Sequence, residues 1–156
     1  MSSRVGIGYD SHRFAEGGAL VLGGVEVPHA SGLEGHSDAD VVAHAITDAV
    51  FGAAGLGDIG THFPPSEEEW RDADSIELLR TAVAMVPGHV VNVDATVICE
   101  EPRLGEHRQE MERVLGEAAG APVSVKATSN EGMGWIGRGE GIACIAVASL
   151  EMVPGT

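Results

Sequence analysis

Three observations predict an α+β fold in which a sheet and helices pack as a sandwich. Apolar residues alternate in "RVGIGY" (4–9) and "LVLGGVEVP" (20–28), the period of a strand. In the middle of the chain Val41, Val42, Ala45, Ile46, Ala49, Val50 and Ala53 recur at helical spacing. The resulting order, ββααβαββ, groups the strands instead of alternating them regularly with helices. Each element follows from local chemistry. The glycines of the first two strands mark bends or close approaches. The first helix lies within "SDADVVAHAITDAVFGAAGLGD" (37–58), where Ser37 and Asp40 resemble a capping box and Gly55 stands near the end. A second helix, "DADSIELLRTAVAMV", is opened by Asp72 or Asp74 and stopped by Pro87 and Gly88. "HVVNVDATVICEE" reads as a strand. "PRLGEHRQEMERVLGEAAG" begins with proline and ends with glycine, the asymmetry expected of a third helix. Two last strands, "VSVKATS" and "GIACIAVASLEM", flank a glycine-rich loop.

Composition narrows the function. With 24 acidic against 9 basic residues, a formal charge of −15 argues against unaided binding to nucleic acid or an anionic membrane. Cys99 and Cys144 sit in apolar, β-branched runs, as buried free thiols do. The N-terminus lacks the apolar core of a secretory signal, and no run of about 18 apolar residues suggests a membrane span. The expectation is one cytoplasmic domain over residues 1–156.

Within "GIGYDSHRF" (6–14), Asp10 and His12 are two apart on an extended segment, so a carboxylate and an imidazole share one face. Asp40, His44 and Asp48 are spaced by four on the first helix and form a polar stripe. A solvated helix face is the plain account of that stripe, although Lys and Glu would suit one better. His44 is the candidate third partner of Asp10 and His12. Two imidazoles and one carboxylate suit zinc and leave a fourth position open. The loop "SNEGMGWIGRGEG" contains G-x-G-x-x-G at Gly132, Gly134 and Gly137, yet a strand follows where a dinucleotide site needs a helix. That motif is rejected. Glu131 could take a hard cation such as magnesium, or could be an exposed glutamate in an ordinary hairpin. Asp58, in "GLGDIGTHFPPSEEEW", could address ribose hydroxyls or simply form an Asx-turn. His29, His62, His89 and His107 read as surface or loop residues, and Met85 and Met111 as core filler.

The segments "GIGYDSHRF", "LGGVEVP", "GHSDADVVAHAITDAVFGAAGLGDIGTHFP", "ADSIELL" and "GRGEGIACIAVASL" closely resemble the 2-C-methyl-D-erythritol 2,4-cyclodiphosphate synthase family of the non-mevalonate isoprenoid pathway. The likeness runs from about residue 4 to residue 150, with several separate motifs in order. It implies an α+β fold with a mixed β-sheet of about four main strands and helices packed on one face. It also implies a homotrimer with active sites between subunits, each using one zinc ion and a magnesium or manganese ion. The implied reaction converts 4-diphosphocytidyl-2-C-methyl-D-erythritol 2-phosphate to the cyclic diphosphate and CMP.

By the same resemblance Asp10, His12 and His44 hold the zinc ion and Glu131 the second cation. His36 and Ser129 resemble the residues that steady the transition state. Asp58 and Gly60 resemble a ribose-contacting pair, and Asp48 a carboxylate approaching from the same side. The segment Cys99 to Gly105, including Arg103 and Leu104, resembles the cytosine pocket. Ser37, Ile59, Phe63, Thr128 and Asn130 fall at further substrate-contacting positions, and Trp135 and Arg138 at positions associated with substrate contact or the trimer axis. Four positions depart from the family pattern: Ser129, where threonine is common, Arg103 and Gly105 in the pocket, and Pro65 in place of an aspartate common after "FP". Two other readings compete. A zinc phosphoesterase would aim water at phosphorus and release inorganic phosphate, and a metal-binding module would keep the fold without turnover. At 156 residues the chain is expected to hold no fused cytidylyltransferase.

Overall fold

The structure is a computed structural model that describes residues 2–35, 38–64, 66–71 and 73–155. Strand β1 (Ser2–Glu16) leads to a small hairpin of β2 (Leu20–Leu22) and β3 (Val25–Val27), then to β4 (Ser31–Leu33). Helix α1 (Val41–Ala54) is followed by two single-turn helices, α2 (Ile59–His62) and α3 (Glu68–Arg71), and by α4 (Ser75–Met85). Next come β5 (Gly88–Ile98), α5 (Arg108–Ala119), β6 (Val123–Thr128), the short α6 (Gly134–Gly137) and β7 (Gly141–Met152).

The main sheet has the order β4-β1-β7-β5-β6. Four long strands and the three-residue β4 make it up, close to the expected four main strands. It is mixed: β5 and β6 run parallel, joined through α5, and the other pairings are antiparallel. β1 and β7 pair along nearly their whole length, from Ser2 opposite Met152 to Arg13 opposite Gly141.

Helix α1 lies on β1 and β7 and α5 on β6, and α4 packs against both helices, so these three share one face of the sheet. The alternation in "GIGY" explains how closely α1 sits. A Cβ on Gly8 would come within 1.9 Å of the Ala45 carbonyl oxygen, and one on Gly6 within 2.1 Å of that of Ala49. Four residues of helix rise about 6 Å and two of strand about 6.7 Å, so the contacts stay nearly in step along both elements. The large residues of the strand point the other way: Val5, Ile7 and Tyr9 are 69, 70 and 54% exposed, beside Ile145 and Val147 of β7. Beneath the helices, Ile46, Leu79, Met111, Leu115, Ile142 and Leu150 form the core.

Several local expectations need correction. "LVLGGVEVP" is a hairpin, not one strand, because Gly23 and Gly24 take positive φ (60° and 76°) between its arms. The N-cap of α1 is Asp40, which accepts hydrogen bonds from the N–H groups of Val42 and Ala43; Ser37 lies outside the described residues. Asp74, one of the two openers expected, does cap α4, and Asp72 falls outside the described residues. The third helix starts at Arg108, after His107, well beyond Pro102; Gly120 ends it with φ 67°. Met85 is 43% exposed, whereas Met111 is buried as expected. His62 is half-buried, with Nε2 2.7 Å from the Leu56 carbonyl and its ring against Phe51.

Candidate metal centre

Gly6, Gly8, Asp10 and His12 share the face of β1 that meets α1. The glycines draw the helix in, and beyond them the same face presents the two polar side chains to His44. Asp10 Oδ2 lies 2.8 Å from His12 Nε2 and 3.1 Å from His44 Nδ1. One ligand atom from each residue falls within 4.8 Å of the others, the one such group among the described residues. The two imidazoles meet edge to face, centroids 5.6 Å apart. His12 Nε2 is buried, and although Asp10 is close, no hydrogen bond to it has acceptable direction. A buried, unpaired imidazole nitrogen beside a carboxylate is what a metal-ligand set without its cation looks like.

Burial works against the Asp10 carboxylate, but the adjoining imidazoles of His12 and His44 outweigh it and hold its pKa at about 2. For His44, burial pulls the other way as well, yet the Asp10 hydrogen bond and the charges of Asp10, Asp40 and Asp38 raise it above its ordinary 6.5.

The other members of the helix stripe do different work. Asp40 is fully buried, and its carboxylate also accepts from the N–H groups of Gly23 (2.9 Å) and Gly24 (2.7 Å), tying the β2–β3 turn to the start of α1. Burial raises its pKa despite these bonds. Asp48 accepts from Ile59 N–H at 2.7 Å and so anchors the loop after α1; burial raises its pKa too. Asp58 is exposed and caps α2, accepting from both the N–H and the hydroxyl of Thr61, which lower its pKa. Ile59 and Gly60 follow in that short helix. Phe63 is buried against Phe51 and Trp70, its ring committed to packing.

A second feature lies beside β6. Cys99, Arg103, Leu104, Gly105, Thr128 and Ser129 line one cleft of about 360 Å³, together with Glu100, Pro102, Arg108 and Ala127. The structure thus gathers into one place the expected 99–105 segment and the start of the glycine-rich loop. Burial pushes the Cys99 thiol up to about 11, so it is neutral there. Glu131 is exposed and has φ 54°, unusual for a residue other than glycine. Its N–H reaches Ser129 Oγ at 3.2 Å, and Asn130 donates its side-chain amide to the Met133 carbonyl at 2.8 Å. A Cβ on Gly137 would strike the Gly132 carbonyl carbon at 2.1 Å, so the glycines let α6 fold back on this loop. Trp135 lines a separate cleft of about 590 Å³ with His12, Arg13 and Glu140, and Arg138 lines another with Phe14, His29 and Glu100. His36 and Ser37 lie outside the described residues, as does Pro65.

Three residues escaped the sequence reading. Glu100 Oε1 accepts from Asn130 N–H (2.8 Å) and Gly132 N–H (3.3 Å), so it holds both sides of Glu131. Ser75 and Asp38 approach the far side of His44. No spacing rule links positions this far apart in the chain.

A mixed sheet, a three-residue group under the first helix that could hold a metal ion and a cleft at the opposite outer strand describe the class of protein to which the chain is compared. The chain belongs to the YgbB family, whose model matches residues 3–151. It is 58% identical to a 2-C-methyl-D-erythritol 2,4-cyclodiphosphate synthase of Rubrobacter xylanophilus, over 98% of each chain. Among solved structures, it matches the bifunctional IspDF of Campylobacter jejuni with TM-score 0.91 and 37% identity, over 97% of this chain and 43% of that one. It also matches a 2C-methyl-D-erythritol-2,4-cyclodiphosphate synthase described in a CDP-bound form, with TM-score 0.87 and 33% identity, over 95% of this chain and 100% of the other.

Proposed function

We propose that the protein converts 4-diphosphocytidyl-2-C-methyl-D-erythritol 2-phosphate to 2-C-methyl-D-erythritol 2,4-cyclodiphosphate and CMP. This makes it a phosphorus–oxygen lyase of the non-mevalonate isoprenoid pathway, acting in the cytoplasm as a single domain. The observation that carries the reading is the Asp10, His12 and His44 centre, with its unpaired His12 nitrogen, in a chain so close to named synthases.

The donor set suits zinc at Asp10, His12 and His44, and Glu131 offers the hard oxygen preferred by magnesium or manganese. When bound, the two cations would polarise phosphate oxygens and neutralise charge on the substrate, which a chain of formal charge −15 could not do unaided. In the reaction, an oxygen of the 2-phosphate attacks the β-phosphorus. The bond from that phosphorus to the bridging oxygen breaks, and its electron pair leaves with CMP. Such a transfer asks the protein mainly for position. The cleft of Cys99, Arg103, Leu104 and Gly105 receives the cytosine, chiefly through backbone groups. Asp58 and Gly60, with Ile59 and Asp48, face the ribose and erythritol hydroxyls. Thr128, Ser129 and Asn130 set the diphosphate, and His36 and Ser129 stabilise the transition state. Ser37, Phe63, Trp135 and Arg138 complete the contacts.

Two features support a homotrimer with sites between subunits. The face of β1 and β7 away from the helices exposes Val5, Ile7, Tyr9, Ile145 and Val147, a surface suited to burial against other copies. In addition, Asp10 pairs with Cys144, Cys144 with Val97, and Val97 with Ala127. The centre and the end of β6, where the Thr128–Glu131 stretch begins, therefore stand three interstrand spacings apart in one chain, about 14 Å. A neighbouring subunit can bring the loop of one chain to the centre of another.

The test is incubation with the cytidylyl substrate, with and without a chelator, followed by phosphorus NMR. Cyclic diphosphate and CMP are expected, and only without chelator. Inorganic phosphate would identify a phosphoesterase, and an unchanged spectrum a protein without this turnover.

A further inference from the structure

The metal-facing side of His44 accounts for only one of its nitrogens. Nδ1 faces Asp10, while Nε2 points away and meets Ser75 Oγ at 2.7 Å. Ser75 is fully buried at the first position of α4. Its hydroxyl donates to Asp38 Oδ1, and its backbone N–H reaches Asp38 Oδ2 at 3.3 Å. A serine hydroxyl carries one proton, whereas an ionised carboxylate only accepts. The charged oxygen is also a stronger acceptor than an imidazole nitrogen. With the proton given to Asp38, Ser75 Oγ offers His44 only lone pairs. Nε2 must then carry a hydrogen and donate it.

We propose that Ser75, oriented by Asp38, is a positioning residue that keeps Nε2 of His44 protonated and so makes Nδ1 the nitrogen that presents its lone pair to the metal. This rests on the reading of Asp10, His12 and His44 as zinc ligands. Metal-bound histidines commonly donate their second N–H to an oxygen, which fixes the ring and its tautomer, and losing that partner costs about 10- to 100-fold in metal affinity. Here the oxygen comes from the start of another helix. Asp38 also accepts from Asp40 N–H at 3.2 Å, so one carboxylate ties the first residue of α4 to the cap of α1. The orientation of His44 is thereby coupled to how these two helix starts meet.

Ser75→Ala removes the acceptor but leaves the α4 cap, because Asp74 still accepts from Ile76 N–H. Zinc affinity, measured by competition with a chromogenic chelator, should fall about 10- to 100-fold. Ser75→Thr, which keeps the hydroxyl, should restore most of it. In zinc-loaded wild-type protein, nitrogen-15 NMR should show His44 bound through Nδ1 with a slowly exchanging proton on Nε2. That proton should exchange fast in Ser75→Ala. A purely structural serine would lower the melting temperature without moving these signals. Unchanged zinc affinity in Ser75→Ala, or coordination through Nε2, would overturn the proposal and leave the metal centre standing. Failure of the wild-type protein to bind zinc would overturn both. The wild-type spectrum decides the question even if Ser75→Ala does not fold.

Discussion

The centre at Asp10, His12 and His44 and the loop at Glu131 are built in opposite ways. The first lies on the longest strand and under the most buried helix, with α1 pressed onto Gly6 and Gly8 so tightly that no Cβ would fit. The second is exposed, carries a non-glycine residue at φ 54°, and is gripped through the N–H groups beside that residue by one carboxylate, Glu100. The candidate metal centre is fixed by the packing of its own chain. The loop half is set by a few polar contacts and presented outward.

The largest effect should come from His44→Ala. The helix keeps its apolar face, so the fold should survive while bound zinc falls to near zero by elemental analysis. Activity should drop by more than the 100-fold ceiling usual for outer partners of a metal ligand. Full zinc retention would remove His44 from the centre.

Glu131→Gln should rank second. It deletes the anionic oxygen a hard cation prefers and touches no proposed zinc ligand. Zinc content should be unchanged, and turnover should fall about 10²- to 10³-fold, equivalent to about 3–4 kcal/mol. Excess manganese should relieve part of the loss. Lost zinc would collapse the distinction between the two halves.

Gly8→Ala attacks the rigid half through its packing. The new methyl would meet the Ala45 carbonyl at 1.9 Å, so α1 must lift from β1. The cost should reach about 3 kcal/mol, the upper range for overpacked cores, read as a fall of about 10 °C in melting temperature. In the loop the same kind of clash falls on Gly137, where an added Cβ would meet the Gly132 carbonyl carbon at 2.1 Å, whereas Gly132 and Gly134, with nothing within 4 Å, disfavour a side chain through their positive φ of 73° and 67°.

The pH dependence separates the halves by a smaller margin. Because the folded, metal-free protein raises the His44 pKa, His44 protonation stabilises that state below the ordinary value near 6.5, and the gain is lost as pH rises through the raised value. Zinc needs the unprotonated Nδ1. Its affinity should therefore fall at least about tenfold for each pH unit below the raised value. Asp10 adds nothing until pH nears about 2. Isothermal titration at several pH values checks this slope, and a flat profile would show that His44 releases no proton on binding.

The extent to which the sequence disclosed this design follows from the range of each interaction. The metal triad was legible because a strand puts Asp10 and His12 on one face and a helix offers His44, both local periodicities. The long strands and α1 were legible for the same reason. The β2–β3 hairpin was missed where two glycines inside an apolar run bend the chain, and the start of α5 where Pro102 suggested an earlier onset. The apolar, open side of "GIGY" was hidden because alternation shows two faces without saying which one the helices cover. Glu100 and Ser75 act across 30 or more residues, and nothing local marks them.

Glu100→Gln should give the smallest effect and sharpens the comparison most. Glutamine keeps a carbonyl oxygen where Oε1 stands, so the N–H groups of Asn130 and Gly132 retain an acceptor. What is lost is the charge on that acceptor, and charge-assisted hydrogen bonds are roughly twice as strong as neutral ones. The net cost is about 1 kcal/mol. Glu131 sits in a backbone conformation that itself costs about 1–3 kcal/mol and persists only while its surroundings enforce it. Weakening its clamp should let the loop sample ordinary φ values, in which the Glu131 carboxylate points elsewhere. The manganese concentration giving half-maximal turnover should rise about fivefold, in line with that energy. Zinc content and melting temperature should hardly move, because no core contact changes. If manganese dependence were unchanged while Glu131→Gln remained defective, the loop would owe its shape to something other than Glu100, such as its packing against α6. If zinc fell instead, the exposed loop and the buried centre would be mechanically joined, and the division between a rigid half and a presented half would not hold.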